Sequence, residues 1–268
     1  MSTKSDIDRV RRFKVGTMNV EVYPTREAMG AAAAHATAEA MKQLALSQDI
    51  MGVIFATGAS QLATLDALTR IGGLPWEKVC GFHLDEYVAL PVEHPASFRG
   101  YLRRNLTDKV PIREFNEVDG TAEDLEQVCS NYAERLRSAK PQLCLLGIGE
   151  NGHLAFNDPP IANFSDPLDV KVVKLDEACR TQQTAEGWFK TTSDVPECAI
   201  SLTIPTMFRV PRLIVSVPGI RKAAIVLRTL EETISTACPA TILRAHPGVT
   251  VYLDNDSASK LGDFLPPH

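Results

Sequence analysis

The most informative part of this chain is the segment Leu145-Leu146-Gly147-Ile148-Gly149-Glu150-Asn151-Gly152-His153-Leu154-Ala155-Phe156-Asn157-Asp158. It continues an apolar run that begins at Leu143, and a short apolar run that stops at glycines is typical of a buried strand. His153 follows that strand within a few residues, with an amide and a carboxylate nearby. Because α/β proteins place their chemistry at the carboxyl ends of strands, the segment predicts an imidazole in a functional site. A polar loop histidine without a chemical role is the alternative.

Strand and helix patterns alternate along the rest of the chain. Apolar or alternating runs predict strands at 18–23, 50–56, 79–84, 143–148, 170–175, 212–217 and 249–253. Helical patterns cover 25–46, 61–71, 96–106, 122–139, 177–189, 221–230 and, briefly, 257–261. This alternation predicts an α/β fold with a mostly parallel sheet covered by helices on both faces. The turns at 57–60, 85–87, 149–153 and 218–222 each follow a strand, so they should gather around one crevice.

Composition and charge argue against several classes of function. The 268 residues carry a formal net charge of -5 and no long basic run, which argues against a nucleic-acid partner. No secretory pattern occurs, and no apolar stretch approaches the roughly 18 residues of a membrane span. The six cysteines are scattered without a CxxC pair, so no zinc site is predicted. We therefore expect a cytoplasmic protein with a loosely attached polar leader over residues 1–12 and a single domain over 13–268.

Two features predict that the crevice binds an anion. The loop at 57–60 joins a strand to a helix, and unpaired N–H groups at the start of a helix attract phosphate. A tight turn with a serine cap explains that loop about as well. Two cations lie near the starts of predicted helices, where positive charge opposes the helix dipole; a solvated surface charge is the alternative to a phosphate ligand there. The candidate phosphate-binding residues are Thr57, Gly58, Ala59, Ser60, Arg180 and Lys222.

The candidate acid–base residues lie in two of the turns. Asp85 and Glu86 are neighbours on an extended segment, so their side chains point in opposite directions. One can face the crevice as a general base whose pKa is raised by burial; a turn that caps another element is the alternative. Asp158 can fix the tautomer of His153 and stabilise its charged form. Because no Gly-x-Ser-x-Gly nucleophile motif occurs, the residues predict general acid–base chemistry on a small anionic ligand, without a metal or redox cofactor.

Three segments of the chain resemble glucosamine-6-phosphate deaminases. They are Phe82-His83-Leu84-Asp85-Glu86-Tyr87-Val88-Ala89-Leu90, then Glu93-His94-Pro95-Ala96-Ser97-Phe98, then residues 147–157. The similarity covers nearly the whole chain from about residue 20, including 56–60, 176–180 and 219–222. The glycine–histidine motif together with Asp-Glu-Tyr is specific to this group, whereas the phosphate turn alone is not.

The resemblance implies a three-layer, Rossmann-like sheet and an aldose–ketose isomerisation coupled to the loss of ammonia. The substrate would be an amino-sugar phosphate and the product fructose 6-phosphate. The phosphate would be held by the 57–60 loop together with Arg180 and Lys222. No metal or cofactor is implied. Some relatives are hexamers and others are monomers, so a homo-oligomer remains open.

The resemblance also implies a role for each candidate acid–base residue. His153 would move a proton at the ring oxygen when the sugar ring opens, with Asn151 and Asp158 orienting it. Asp85 would take the proton from C2 and deliver it to C1 through an enediol-type intermediate. Phosphate binding would position C1 and C2 against this carboxylate. The supporting residues would be Glu86 and Gly152.

The chain departs from the family pattern at two of these positions. Asn151 stands where many members have aspartate, and Asp158 stands where the family usually has glutamate. An aspartate reaches roughly 1.5 Å less far than a glutamate, and a misplacement of about 1 Å can cost on the order of 10²-fold in rate. The segment 161–169 also lacks the basic residues of the family's allosteric pocket, so that regulation is not predicted.

Three alternatives to this assignment remain. A 6-phosphogluconolactonase shares the fold and the Gly-His motif, but Leu154-Ala155-Phe156-Asn157 and the Asp-Glu-Tyr segment have the deaminase form. A non-catalytic sugar-phosphate sensor would keep the pocket and bind the ligand without turnover. An isomerase-deaminase for an epimer such as galactosamine 6-phosphate would differ only in how loops read one hydroxyl group.

Overall fold

The computed structural model describes residues 10–185 and 187–262, whose strands form two sheets. The strands are β1 (Arg11–Val15), β2 (Met18–Tyr23), β3 (Met51–Phe55), β4 (Val79–His83), β5 (Asp85–Tyr87), β6 (Glu114–Asn116), β7 (Leu143–Leu146), β8 (Val170–Lys174), β9 (Cys198–Leu202), β10 (Arg212–Val217) and β11 (Val249–Asp254). The larger sheet has eight strands in the order β1-β2-β11-β10-β7-β3-β4-β6. Only the β1–β2 pair in it is antiparallel, so the predicted mostly parallel sheet is confirmed.

Helices cover both faces of the larger sheet, as predicted. They are α1 (Arg26–Ala45), α2 (Leu62–Arg70), α3 (Phe98–Leu102), α4 (Leu125–Ala139), α5 (Glu177–Ala185), α6 (Ile204–Phe208) and α7 (Ala223–Glu231). Alternate side chains of β7 belong to different hydrophobic clusters. Leu143 and Leu145 share a cluster with α1 and α2, whereas Cys144 and Leu146 share one with α4 and α7. A strand buried on both faces is apolar throughout, which is why this one lacks an alternating pattern.

The first helix shows why local sequence signals were reliable for the longer elements. α1 is rich in alanine, the residue with the best helix propensity, and contains no proline. The Thr25 hydroxyl accepts a hydrogen bond from the N–H of Ala28 at 3.1 Å and caps the first turn. The predicted bounds of 25–46 therefore agree with the observed helix and its two caps.

The smaller sheet contains β5, β9 and β8, and all of its pairs are antiparallel. The strand predicted at 170–175 exists as β8, but it lies in this sheet and not in the parallel one. β5 and β9 were not predicted as strands; β5 has only three residues, and its partner lies more than a hundred residues later in the chain. Local patterns cannot reveal such a long-range pair.

Four further boundaries differ from the sequence predictions. Residues 1–9 of the predicted leader lie outside the described residues, but Arg11 and Arg12 belong to β1, which pairs with β2. The helix predicted at 257–261 is wrong, because these residues form turns. The helix predicted at 177–189 ends at Ala185, and residue 186 lies outside the described residues. The short strand β6 was missed.

The parallel strands direct their carboxyl ends to one edge of the larger sheet. The loops that leave β3, β4, β7 and β10 at this edge all line the same pocket. The expected crevice at the strand ends is therefore confirmed. Within residues 10–185 and 187–262, none of the helices has the length and apolar character that a membrane span needs.

Candidate active site

The pocket at the sheet edge has a volume of about 270 Å³. Its walls come from the 57–60 loop, the β4–β5 junction, the glycine-rich segment at 147–150 with His153, and the turn at 218–222. Asp85, His153 and Lys222 all line it, together with the four residues of the 57–60 loop. The structure thus brings most of the sequence-predicted site residues into one pocket.

Asp85 and Glu86 point in opposite directions along β5, as the extended segment predicts. Asp85 is buried and lines the pocket, whereas Glu86 is fully buried in the protein interior. The Glu86 carboxylate accepts hydrogen bonds from the hydroxyl of Ser97 at 2.9 Å and from the N–H groups of Phe98 and Arg99 at 3.1 and 2.9 Å. These bonds fix the start of α3 to the strand that carries Asp85. Glu86 is therefore a supporting residue that does not face the pocket.

The surroundings of Asp85 favour its neutral form. Burial raises the pKa of Asp85 well above its usual range, and the negative charge of Glu86 raises it further. The neighbouring His83 ring is also buried, which lowers its pKa. Its Nε2 accepts the Val118 N–H at 2.8 Å, so its Nδ1 carries the proton and donates to the Asp85 carbonyl at 2.8 Å. The general-base candidate thus lies on a rigid backbone and holds its proton more tightly than an exposed aspartate.

His153 is paired with Asp158 as the sequence predicts. Its Nδ1 lies 2.8 Å from Oδ1 of Asp158, and both side chains are buried. Asn151 binds both partners: its amide Nδ2 donates to the same Oδ1 at 2.8 Å, and its Oδ1 accepts the His153 N–H at 3.0 Å. The shorter acid therefore reaches the imidazole in this fold. Because Nδ1 of His153 pairs with Asp158, Nε2 is the ring nitrogen that can contact a ligand.

The pKa of Asp158 is shifted in the opposite direction to that of Asp85. Burial alone would raise it, but the hydrogen bonds from His153 and Asn151 and the charge of His153 bring it below its usual value. The Cys179 sulfur lies within 4.8 Å of this carboxylate, and the pKa of its thiol is raised by burial and by the charge of Asp158. Two carboxylates whose pKa values are pushed apart are typical of a site that needs one proton carrier and one permanent anion.

Two glycines shape the loop that presents His153. Gly152 has a φ of +93°, a conformation that residues with a side chain rarely adopt. A Cβ at Gly149 would overlap the Cε1, Nε2 and Cδ2 atoms of the His153 ring. The imidazole thus packs directly on the backbone of Gly149, which only a glycine permits.

Strand β9 connects the segment that carries Asp85 to the segment that follows His153. Its Ser201 pairs with Asp85 in the smaller sheet, and the Ser201 hydroxyl accepts the N–H of Phe156 at 3.0 Å. Asn157 donates its side-chain amide to the carbonyl of Leu202 at 2.8 Å. The segment after His153 is therefore fixed to the same strand as Asp85, a connection that the sequence did not reveal.

The 57–60 loop leaves open space in front of its backbone. Gly58 has a φ of +87°, and no atom lies within 4 Å of the place where its Cβ would be. Tyr101 fixes the loop by donating its hydroxyl to the Gly58 carbonyl at 3.0 Å. The loop leads into α2, whose first N–H groups have no partner within the helix. Lys222 approaches the same pocket from the turn after β10.

Arg180 is a correction to the predicted site. It is not among the described residues that line the pocket, and its Nη2 donates to the carbonyls of Thr192 and Val195 at 2.8 and 3.0 Å. The guanidinium fixes α5 to the following segment, because the helix turns that side chain away from the pocket. The spacing of strand and helix located α5 correctly but not the face on which Arg180 lies.

Several residues that line the pocket were missed or set aside. Arg221 lines it and forms an ion pair with Glu150, another lining residue, at 2.6 Å. Gln182 and Gln183 present side chains from α5, the helix that carries Arg180. Arg26 lines the pocket from the first residue of α1. Arg180 and Lys222 were selected because each is a cation near the start of a helix that follows a strand. The same criterion, if it had been applied to α1, would have identified Arg26.

One cluster combines side chains of the types that hold metal ions. His153, Asp158 and Cys179 place a ring nitrogen, a carboxylate oxygen and a sulfur within 4.8 Å of one another. These are the ligand types that zinc prefers. In the structure the nitrogen and one carboxylate oxygen are hydrogen-bonded to each other at 2.8 Å, and an ion would have to replace that bond. The absence of a metal requirement stays a prediction.

Comparisons with known proteins agree with these features. Residues 24–252 match a family model described as glucosamine-6-phosphate isomerases/6-phosphogluconolactonase. A glucosamine-6-phosphate deaminase of Exiguobacterium sp. (strain ATCC BAA-1283 / AT1b) is 35% identical over 212 residues, 78% of this chain and 80% of that protein. A solved structure of a monomeric glucosamine-6-phosphate deaminase superposes with a TM-score of 0.82 at 30% identity, covering 90% of this chain and 99% of that chain. A 6-phosphogluconolactonase from Thermotoga maritima, with a TM-score of 0.71 at 18% identity and coverage of 88% and 98%, shares the fold.

Proposed function

The chain belongs to the glucosamine-6-phosphate isomerase/6-phosphogluconolactonase family, and we propose that it converts glucosamine 6-phosphate and water into fructose 6-phosphate and ammonia. The observation that carries the proposal is one pocket lined by Asp85, His153 and the 57–60 loop. It joins a proton carrier, an acid–base imidazole and an anion-binding turn. The similarity to proteins named glucosamine-6-phosphate deaminase supports the choice of substrate.

The first step opens the sugar ring. His153 delivers a proton to the ring oxygen from Nε2, and the bond between that oxygen and C1 breaks. The hydroxyl group on C1 gives its proton to water, and C1 becomes an aldehyde. Asp158 stabilises the imidazolium form through Nδ1, because it lies 2.8 Å away and its pKa is held below its usual value. Asn151 fixes the carboxylate and the histidine backbone and so keeps the ring oriented.

The second step moves a proton between two carbons. Asp85 in its ionised form takes the proton from C2 while the carbonyl oxygen on C1 gains a proton from water, which gives an enediol-type intermediate. Asp85 then returns its proton to C1 while the nitrogen on C2 gives a proton to water. This leaves C2 double-bonded to nitrogen, and water replaces that nitrogen to give the ketone and ammonia. Burial raises the pKa of Asp85, which makes the carboxylate a stronger base than an exposed aspartate. Phosphate binding at the other side of the pocket positions the sugar for this transfer.

The 6-phosphogluconolactonase alternative rests on weaker support. The solved lactonase structure is only 18% identical to this chain, so its similarity concerns the fold alone. Asp85 has no evident task in the hydrolysis of a lactone, whereas a carboxylate is needed to carry a proton between two carbons. We therefore do not favour that activity. We keep the absence of a cofactor as part of the proposal, because no step above requires one.

The test is turnover of purified protein with glucosamine 6-phosphate, with ammonia and fructose 6-phosphate followed together. No metal ion or nucleotide is added, and Asp85→Asn serves as the matched inactive variant. We expect the two products in equal amounts from the wild type and neither from the variant. Saturable binding of glucosamine 6-phosphate without product would contradict the proposal and favour a sensor. If the protein turns over galactosamine 6-phosphate and not glucosamine 6-phosphate, the proposed substrate changes to the epimer and the proposed chemistry stays the same.

A further inference from the structure

We propose that Arg26 binds the phosphate group of the substrate, in the position that the sequence had led us to expect for Arg180. The inference rests on the proposed function, since a sugar phosphate is the ligand in question. It concerns how this particular chain recognises the phosphate, and it adds a residue from α1 to a site otherwise built from the turns after β3 and β10.

The topology brings Arg26 to the site. β2 is parallel to β11, and β11 is parallel to β10, so the carboxyl end of β2 lies at the same sheet edge as the turn that carries Lys222. The chain leaves β2 at Tyr23 and enters α1 at Arg26. Although β11 lies between β2 and β10, an arginine side chain is long enough to extend past one strand.

The side chain does extend to the turn after β10. A Cβ added at Gly219 would lie 3.0 Å from Nη2 of Arg26, so the guanidinium lies beside this glycine. Gly219 precedes Lys222 by three residues, and Arg26 lines the same pocket as Lys222 and the 57–60 loop. The guanidinium and the buried Lys222 are thus placed on the phosphate side of one pocket.

The position of Arg26 has no structural reason of its own. It is the first residue of a 20-residue helix, where a positive charge opposes the helix dipole. The helix is capped by Thr25 and does not need the arginine. Within residues 10–185 and 187–262, no carboxylate lies within ion-pair distance of its guanidinium, and the side chain is exposed. A cation at an unfavourable place, without a carboxylate partner among the described residues, is explained by an anionic ligand.

The two other arginines near the pocket are already engaged. Arg180 donates to the carbonyls of Thr192 and Val195, and Arg221 pairs with Glu150 at 2.6 Å. Among the described cations that line the pocket, Arg26 is therefore one whose guanidinium has no carboxylate within ion-pair distance. A guanidinium adds a planar pair of donors that matches two phosphate oxygens, which an ammonium group cannot do.

The experiment compares wild type with Arg26→Gln, Arg26→Lys and a control, Arg70→Gln. Arg70 is an exposed arginine at the end of α2, paired with Asp66 and absent from the described lining of the pocket. The dissociation constant for inorganic phosphate is measured by calorimetry, which does not depend on turnover. KM and kcat for glucosamine 6-phosphate are then measured for the same four proteins, and melting temperatures check the fold.

We expect Arg26→Gln to weaken phosphate binding roughly 10- to 100-fold and to raise KM by a similar factor, with kcat within about threefold of wild type. The phosphate affinity and KM of Arg26→Lys should lie between those of wild type and Arg26→Gln, because lysine keeps the charge but loses the paired donors. Arg70→Gln should match wild type, and the melting temperature of Arg26→Gln should not fall.

Two results would overturn the inference: equal phosphate affinity of wild type and Arg26→Gln, or no phosphate binding by wild type. A loss of kcat at unchanged KM would also overturn it, since that would place Arg26 in the chemistry and not in phosphate binding. If no protein turns over glucosamine 6-phosphate while phosphate binding still depends on Arg26, the proposed function fails and the role of Arg26 stands.

Discussion

The two sides of the pocket are built in different ways. On the side proposed for proton transfer, which comprises Asp85, His153 and Asp158, every side chain is buried. Hydrogen bonds hold the Asp85 backbone carbonyl and join the His153 ring to Asp158. On the side proposed for phosphate binding, which comprises the 57–60 loop, Lys222 and the two arginines at 26 and 221, the loop is half-buried and both arginines are exposed. Proton transfer needs fixed geometry, whereas a dianion can be bound by cations that reach it from several directions.

The difference between the two sides predicts which property a substitution changes, the rate or the binding of the ligand. A change on the proton-transfer side should abolish the rate and leave ligand binding intact. A change on the phosphate side should weaken binding and leave the rate of the bound complex nearly unchanged. Each variant below tests that division.

The largest effect is expected for Asp85→Asn. The amide keeps the shape of the carboxyl group but cannot accept the proton from C2, so kcat should fall at least roughly 10³-fold. Phosphate affinity, measured by calorimetry with inorganic phosphate, should stay within about twofold of wild type. A variant with near wild-type kcat would remove Asp85 from the mechanism.

Asp158→Asn should lower kcat roughly 10²-fold, because the imidazolium form of His153 loses its charged partner. Asp158→Glu is a sharper test of this chain's departure from the family. The carboxylate already reaches His153 at 2.8 Å and its side chain is 1% exposed, so an added methylene should overpack the site and cost about 10-fold in kcat. An increase in rate would mean that the shorter acid is a handicap and not an adaptation of the backbone.

Lys222→Gln tests the phosphate side. Removing this buried cation should raise KM for glucosamine 6-phosphate about 10-fold, while kcat changes less than about threefold. Lys42→Gln, on the exposed surface of α1, is the control and should leave both constants unchanged. An equal loss in kcat and kcat/KM would break the division between the two sides, because it would assign Lys222 to the transition state.

The smallest effect concerns stability and pH. Burial raises the pKa of Asp85 above its value in the unfolded chain. The stability that the neutral Asp85 carboxyl group contributes is therefore fully present at a pH below the unfolded pKa, and it is lost as the pH rises through the folded pKa. Neutral pH lies above the unfolded pKa, so part of this contribution is lost there, and Asp85→Asn should unfold with a free energy about 1 kcal/mol higher. Denaturant titrations at several pH values should show that the difference in unfolding free energy between Asp85→Asn and wild type becomes smaller as the pH falls. A gap independent of pH would point to packing and not to ionisation.

The same division explains how much the sequence could predict. On the proton-transfer side each functional group lies in a short contiguous motif, and neighbouring residues on a strand point in opposite directions. Asp85, Glu86, His153 and Asp158 were therefore located and even oriented correctly. The mostly parallel arrangement of the larger sheet followed from the alternation of strands with helices.

What the sequence could not reveal depends on pairing or rotation over long distances. β5 and β9 pair across more than a hundred residues, and three to five residues carry too little pattern to predict that. Arg180 was placed on the correct helix but on the wrong face, since each residue along a helix turns the side-chain direction by roughly 100° and the sequence does not show which direction faces the pocket. Arg26 was overlooked because its approach to Gly219 depends on the order of strands in the sheet.

Gly149 has a consequence for how the chain can change over generations. The imidazole of His153 fills the volume that a Cβ at this position would need, so glycine and histidine occupy one shared space. A codon change at 149 would therefore displace the ring as surely as a change at 153 would remove it. A descendant without this glycine would still carry its histidine in the sequence and lack it in the pocket. Motif searches that count only the histidine would mistake such a protein for a working enzyme.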